Sequence, residues 1–270
     1  MSFEILCVTM NQTDFSKIEA MNIHSDVVFA NQADRTAYEE YEFDGHCAKM
    51  ITTATRGVGV NRNLGLLYAS ADICLFADDD VRYVDDMEAR VLAEFEAHPD
   101  ADLIAFHLES DTPSRPQQKP KKMHKCHRWS RTPWGGFRVA FRLSSIRKAN
   151  LWFTTLFGGG CVFPSGEDSM FWRNALRAGL TFYESKQTIG TVSFAESTWF
   201  TGADEKFYFA KGATYQAMHP KTFWLWKRYV LFRFRKNKEL TASEKKRWIN
   251  LGRRGYREMK GYGDYIKTKS

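Results

Sequence analysis

The chain has 270 residues, 43% of them apolar, which suffices for one large α/β domain or a domain with an appendage and excludes extensive disorder. Its net charge is +7, with the basic excess at the C-terminal end, so an anionic partner is expected there: nucleic acid, a membrane surface or a phosphorylated substrate. Five widely spaced cysteines, with Cys7 and Cys74 inside apolar runs, fit buried free thiols in a reducing cytosol, and no stretch approaches the roughly 20 apolar residues of a membrane span.

The first residues, MSFEILCVTM, lack the basic flank and small-residue cleavage site of a signal peptide, so none is expected. Residues 3–9 and 26–30 read as strands. A helix follows over 59–70, with Leu64, Leu67 and Tyr68 on one face, then a strand over 73–77. A second helix over 87–98 carries Val91, Leu92 and Phe95 on one face, and 103–107 is the next strand. Strands alternating with helices predict an α/β fold whose mainly parallel sheet is covered on both faces. Ile73-Cys74-Leu75-Phe76-Ala77 does not alternate with polar residues, so it is read as a central strand buried on both sides. Ligands of such sheets bind beyond the carboxyl ends of the strands.

Asp78-Asp79-Asp80 follow that strand directly. They either form a solvated turn or bind something positive. A helix-capping role is already taken by Asp85 and Glu88, which have capping-box spacing, so the triplet is surplus to it. In extended backbone Asp78 and Asp80 would share one side, and converging carboxylates at a buried strand end are costly unless a cation is near. Oxygen-only donors suit Mg2+ or Mn2+, which commonly act together with substrate phosphates.

Residues 110–136 form a long stretch rich in Pro, Lys and Arg, containing His124-Lys125-Cys126-His127, which lacks the second ligand pair of a zinc site. Phe137, Val139 and Phe141 alternate with Arg138, Ala140 and Arg142, which predicts a strand with one apolar face. Further on, Gly158-Gly159-Gly160 and Pro164 describe a loop feeding a helix that starts near Glu167 and Asp168. Ser165 to Asp168 also has capping-box spacing, so Asp168 is either a cap or a general base, which a helix N-terminus would keep ionised. Beyond residue 218 the composition shifts, and two helices are expected, with Trp224, Trp226, Tyr229, Phe232 and Phe234 interleaved with Lys and Arg. They would either dock on the preceding domain or lie on an anionic membrane.

TRGVGVNRNLGLLYASADICLFADDDV, residues 55–81, resembles the segment of family 2 glycosyltransferases of the GT-A fold in which an Arg-Asn on a helix precedes a strand ending in Asp-X-Asp. FPSGEDSMFWRNALRAGL, residues 163–180, is similar to the same family's Glu-Asp acceptor-side motif. STWFTGADEKFYFAKGA, residues 197–213, resembles a segment of bacterial capsule and exopolysaccharide transferases. The resemblance spans about residues 1–217. It implies a Rossmann-like GT-A catalytic domain over 1–217, with a nucleotide-sugar-binding half (1–109) and an acceptor half (110–217), followed by a basic, aromatic-rich helical tail over 218–270.

The activity implied is that of an inverting, metal-dependent glycosyltransferase of hexosyltransferase type. The donor is expected to be a UDP-sugar, the cofactor Mn2+ or Mg2+, and the acceptor a saccharide on a polyprenyl-diphosphate carrier. The place of action is expected to be cytoplasmic, peripheral on the inner face of the cell membrane.

In family terms Thr9 and Asn11 meet the nucleotide, and Asn31 stands where the family usually has an acidic residue near the base. Arg56 and Arg62 flank the diphosphate, although Arg62 could equally be a surface helix charge, and Asn63 is structural. Asp78, with Asp79 beside it, contacts the nucleoside, and Asp80 is the direct metal ligand. Asp168 is the base with Glu167 as its neighbour. From its own context beside Gly135 and Gly136, Trp134 would sit near the sugar or acceptor, where its ring can stack, or could equally be a packed core residue, and Gly159 is placed on the acceptor side. The family's metal-binding His is missing from TVSFAESTWF, which leaves Glu196 or His219 as substitutes. Two other function classes stay open: a degenerate GT-A fold that binds nucleotide or a partner, and a nucleic-acid module using the basic tail, for which no nucleic-acid motif is present.

Overall fold

A computed structural model describes residues 1–113, 115–127, 135–194 and 202–266. The chain divides into two units. The first takes residues 1–56, 60–153 and 171–196, and the second takes 57–59, 154–170 and 197–270.

The first unit holds the sheet. Its strands are β1 (Phe3–Met10), β2 (Asp26–Gln32), β3 (Ala37–Phe43), β4 (His46–Thr53), β5 (Ile73–Asp78), β6 (Val81–Tyr83), β7 (Leu103–Ser110), β8 (His124–Lys125), β9 (Val139–Arg142) and β10 (Phe182–Val192). They lie in the order β3-β4-β2-β1-β5-β9-β7-β10-β6, with β8 paired to β10. Its helices are α1 (Lys17–Ala20), most of α2 (Val58–Tyr68), α3 (Met87–Ala97), α4 (Leu143–Lys148) and most of α5 (Glu167–Arg177); the first residues of α2 and α5, 58–59 and 167–170, belong to the second unit.

The run β4-β2-β1-β5 is wholly parallel, with Ile5 opposite Leu75 and Val27 on β2. As its unbroken apolar run requires, β5 is buried on both faces. Ile73, Leu75 and Ala77 enter one core with Ile5, Phe29 and Phe106, while Cys74 and Phe76 enter the other with Leu66, Phe141 and Trp172.

The sheet is more mixed than the sequence suggests, for two local reasons. β3 and β4 form an antiparallel hairpin in which Phe43 pairs with His46, closed by Asp44 and Gly45 with φ of 47° and 81°. That is the left-handed pair a two-residue turn needs. The second reason is β9, which inserts antiparallel between β5 and β7. The expected strand with one apolar face is therefore corrected. A 3-10 turn covers Gly136–Arg138, and β9 buries Val139 and Phe141 in one core and Ala140 in the other, because both faces of the sheet are covered at this central position.

The capping box expected at Asp85 is also corrected. Asp86 is the N-cap of α3 and makes no side-chain cap bond, while Asp85 Oδ1 accepts a hydrogen bond from Asn22 Nδ2 at 2.9 Å. Tertiary contact with Asn22 takes the carboxylate that the spacing offered to the helix.

The second unit is helical: α6 (Glu205–Met218), α7 (Phe223–Arg233), α8 (Ala242–Glu258) and α9 (Tyr262–Ile266), around a core including Phe163, Tyr208, Phe209 and Trp248. Asp204 caps α6 by accepting from Phe207 N at 2.8 Å, and Thr241 and Glu244 form a capping box on α8. α6 lies within the stretch that the sequence assigns to the catalytic domain, yet it packs on α8. A Cβ on Gly252 would sit 1.9 Å from Phe209 O, and one on Gly212 would sit 2.1 Å from Ile249 O, so glycine is what lets the two backbones touch. None of the described helices is long and apolar enough to cross a membrane.

Candidate functional site

Of the residues singled out by sequence in the first unit, the carboxyl end of β5 brings Thr9 and Arg62 together with Asp78 to Asp80, whereas Asn11, Asn31 and Arg56 make their contacts elsewhere. The strand ends at Asp78, and Asp79 and Asp80 form a turn into β6, so the triplet is not extended throughout. Each carboxylate has a different environment. Asp78 Oδ1 is 3.1 Å from an Arg62 terminal nitrogen. Asp79 Oδ2 accepts from Thr9 Oγ1 at 2.5 Å and lies 3.6 Å from Lys17 Nζ, which also donates to the Asp79 carbonyl at 3.1 Å.

Asp80 reaches solvent at its surface, and its carbonyl accepts from Ser193 N at 3.1 Å. Desolvation of its carboxyl by the packed strand end, followed by the charges of Asp78 and Asp79, pushes its pKa up to about 7. Lys17 offsets this only weakly.

Arg62 is not a surface charge. Its side chain is 3% exposed, and its guanidinium lies over the Phe153 ring at 5.3 Å while pairing with Asp78. Helix α2 can place it there because Asn63, one residue on, ties the helix to the same segment. Asn63 Nδ2 donates to Phe153 O at 2.9 Å, and Phe153 N donates to Asn63 Oδ1 at 2.8 Å. Asn63 is thus structural, as its sequence context suggests.

Asn31, at the end of β2, is buried and braces the loop after β1. Its amide nitrogen donates to Gln12 O at 2.9 Å and Thr52 Oγ1 at 3.0 Å, and its oxygen accepts from Gln12 N at 3.0 Å. Asn11 has a φ of 55° and donates from its backbone to Gln32 O at 2.9 Å, next to the Gln12 that Asn31 holds. Arg56 pairs with Asp34 and donates to Ala33 O at 3.3 Å.

Sequence reasoning passed over Lys17 and Asn61 at this end of the sheet. Asn61 is buried and donates to Ala30 O at 3.3 Å. Lys17 sits on a single helical turn too short to carry a periodic signal, but Asn61 falls within the quoted resemblance beside Arg62.

In the second unit, Glu167 and Asp168 open α5. Glu167 is buried, and its Oε2 accepts from Gly166 N at 2.9 Å. Gly158, at φ of 107°, leaves no room for a side chain, since a Cβ would come 2.5 Å from Val58 Cγ1 and 3.0 Å from Glu167 Cδ. Gly159 O accepts from Val58 N at 3.1 Å. The Lys211 ammonium is pushed below the ordinary lysine value by desolvation, which the charge of Glu167 partly opposes. Asp168 is half-buried in the first turn of α5, where the helix dipole favours a carboxylate.

His219 ends α6 and stacks on Trp226 at 4.5 Å. His124 faces Glu184 at 3.5 Å, and Cys126 is buried. Trp134 and Glu196 lie outside the described residues. Among the described residues no three His, Cys, Asp or Glu side chains gather as a metal-binding group.

The chain matches the family described as Glycosyl transferase family 2 over residues 27–172, more than half its length, and it belongs to that family. A search of curated proteins finds no match. Among solved structures the chain is similar to S. aureus TarS 1-349, at 14% identity and a TM-score of 0.53 over 95% of this chain and 72% of that one. TarS 1-349 in complex with UDP-GlcNAc gives 15% and 0.56 over 95% and 73%, and its complex with UDP gives 16% and 0.56 over 95% and 72%. At such identities the likeness concerns the fold, which is GT-A: a mixed ten-stranded sheet flanked by helices, with further helices at the C-terminal end. The protein is therefore a glycosyltransferase of family 2.

Proposed function

We propose that the protein transfers a sugar from a UDP-sugar to a saccharide hydroxyl, with inversion and with the help of Mn2+ or Mg2+. The observation that carries this reading is the end of β5, where Arg62 pairs with Asp78, Thr9 and Lys17 hold Asp79, and Asp80 follows. The complexes of TarS with UDP and UDP-GlcNAc support uridine as the base.

The donor set fits a divalent ion. It offers only oxygen, and Asp80, whose pKa is pushed up to about 7 by desolvation and then by the charges of Asp78 and Asp79, is a carboxylate that a cation would relieve. Asp80 would hold the ion, beside Asp78. One or two carboxylates completed by substrate phosphates is the usual arrangement for Mg2+. When bound, the ion supplies electrostatic stabilisation of the departing diphosphate.

The residues of the chain supply the rest. Asp168 accepts the proton of the acceptor hydroxyl. The acceptor oxygen then bonds to the anomeric carbon as the bond from that carbon to the diphosphate oxygen breaks, its electron pair leaving with UDP. Glu167, held by Gly166 N, fixes the start of the helix that presents Asp168. The acceptor is read as a saccharide on a polyprenyl-diphosphate carrier in surface polysaccharide synthesis, which would place the enzyme peripherally on the cytoplasmic face of a membrane.

The test is a panel of UDP-sugars with and without Mn2+, run on the wild type and on Asp80→Ala. The variant should stay folded and lose both transfer and the metal-dependent part of UDP affinity. Retained metal-dependent binding in a folded Asp80→Ala protein would remove Asp80 from the metal site. Binding of UDP without turnover of any donor would favour a nucleotide-binding fold that no longer catalyses transfer.

A further inference from the structure

Helix α7 is aromatic on both sides, and the structure shows what covers only one of them. On the covered side, Phe223 and Val230 are buried, Trp226 stacks on Tyr215 at 5.0 Å, and Lys227 Nζ donates to Asn250 Oδ1 at 2.8 Å. Just past the helix, Phe234 meets Phe207 edge-on at 4.9 Å. Positions 223, 226, 227, 230 and 234 follow the helical repeat and define a single packed stripe.

The opposite stripe faces water. Trp224 is 59% exposed, Leu225 47%, Tyr229 40% and Phe232 66%, and Arg228 stands among them. Large apolar side chains gathered on one helix face mark an interaction surface rather than the scattered exposure that is normal for a surface.

The charge around this face selects the partner. From Lys221 to Lys238 the chain carries Lys221, Lys227, Arg228, Arg233, Arg235, Lys236 and Lys238 and no Asp or Glu. Arg235 lies over the Phe232 ring at 4.3 Å, so cation and aromatic are presented together. A second copy meeting this face would bring the same cations against them with no acid in the segment to match. Apolar and aromatic side chains that can enter the acyl boundary, within a ring of Lys and Arg, are what an amphipathic helix needs to lie on anionic headgroups.

We propose that the outer face of α7 docks the protein on an anionic lipid bilayer, with Trp224, Leu225 and Phe232 entering the interface and Arg228, Arg233 and Arg235 engaging headgroup phosphates. This deepens, and rests on, the peripheral placement proposed above, but it is read out by vesicle binding, which needs no turnover.

The full chain is sedimented with vesicles of phosphatidylcholine alone and of phosphatidylcholine with phosphatidylglycerol, at about 0.05 M and about 0.5 M NaCl. Binding should require phosphatidylglycerol and weaken by about tenfold or more at the higher salt. Trp224→Ser combined with Phe232→Ser should weaken it by about tenfold or more at low salt. Because both side chains are exposed, circular dichroism and stabilisation by UDP should be unchanged, which separates loss of this surface from failure of the donor site. Arg228→Gln combined with Arg233→Gln provides a second variant that keeps the aromatics and should lose the low-salt binding. Absence of binding to anionic vesicles at low salt, or undiminished binding in both variants, would overturn the proposal. So would a salt-insensitive oligomer that the serine variant dissolves, since the face would then be a contact between copies.

Discussion

Replacing Arg62 by Met keeps an unbranched apolar stem out to about the position of Nε and removes the charged end of the side chain. In the wild type that group is 3% exposed, 3.1 Å from Asp78, and 5.3 Å from the Phe153 ring. Removing one partner of a buried ion pair costs about 3–5 kcal/mol, mostly because the other charge is left uncompensated. Asp78 keeps 23% of its side chain exposed, so water relieves part of that penalty and about 2–3 kcal/mol remains. Loss of the ring contact adds about 0.5–1 kcal/mol.

The expected total of about 3 kcal/mol corresponds to a fall of roughly 6–12 °C in the Tm of the sheet-bearing unit, followed by near-ultraviolet circular dichroism. A double-mutant cycle with Asp78→Asn should return a coupling of about 2 kcal/mol. Arg62→Lys should recover only part of it, because an ammonium lacks the planar fork of a guanidinium. A coupling below about 0.5 kcal/mol, with Arg62→Met within about 1 kcal/mol of wild type, would refute the view that this pair orders the strand end.

Asp168→Asn keeps a side-chain oxygen in the first turn of α5 and removes the base, so turnover should fall by several orders of magnitude while UDP affinity persists and stability changes by about 1 kcal/mol or less; near-normal turnover would show that Asp168 is not the base. Gly252→Ala should destabilise the helical unit by about 1–3 kcal/mol in urea unfolding, although alanine is favoured in a helix by about 1 kcal/mol, because its Cβ would meet Phe209 O. Gly263→Ala, where a Cβ meets nothing within 4 Å, should not be destabilising and serves as the control. His107 is buried on β7, and desolvation first, then Lys119 and Arg138, hold its pKa below the usual 6.5. The unfolded chain therefore binds this proton more readily, so stability is lost as pH falls below about 6.5, and His107→Gln should flatten that loss when urea midpoints are compared at neutral and mildly acidic pH.

The sequence alone determined what short-range pattern can determine. A short apolar run without alternation fits a strand covered on both faces, and β5 is one. The acidic triplet Asp78 to Asp80 at its carboxyl end marks a candidate site. The β3–β4 hairpin is missed by that reading although Asp-Gly at 44 and 45 is a two-residue turn signal, because the acidic and aromatic residues of β3 form an edge strand exposed along most of its length and carry no core pattern.

Only the tertiary structure decided which partner each side chain meets. Thr9 reaches Asp79 across 70 residues, Asn63 reaches Phe153 across 90, and nothing in the local sequence of α2 says that Arg62 turns inward while Leu67 turns out. The same holds for α7. Aromatics at 223, 224, 226, 229 and 232 leave no clear apolar stripe, and the faces separate only when α6 and α8 cover one of them. Periodicity records the affinity of a side chain for a core, whereas the choice of core is made by chain segments far apart in sequence, and that choice sets the burial, the ion pairs and the pKa values on which the chemistry depends.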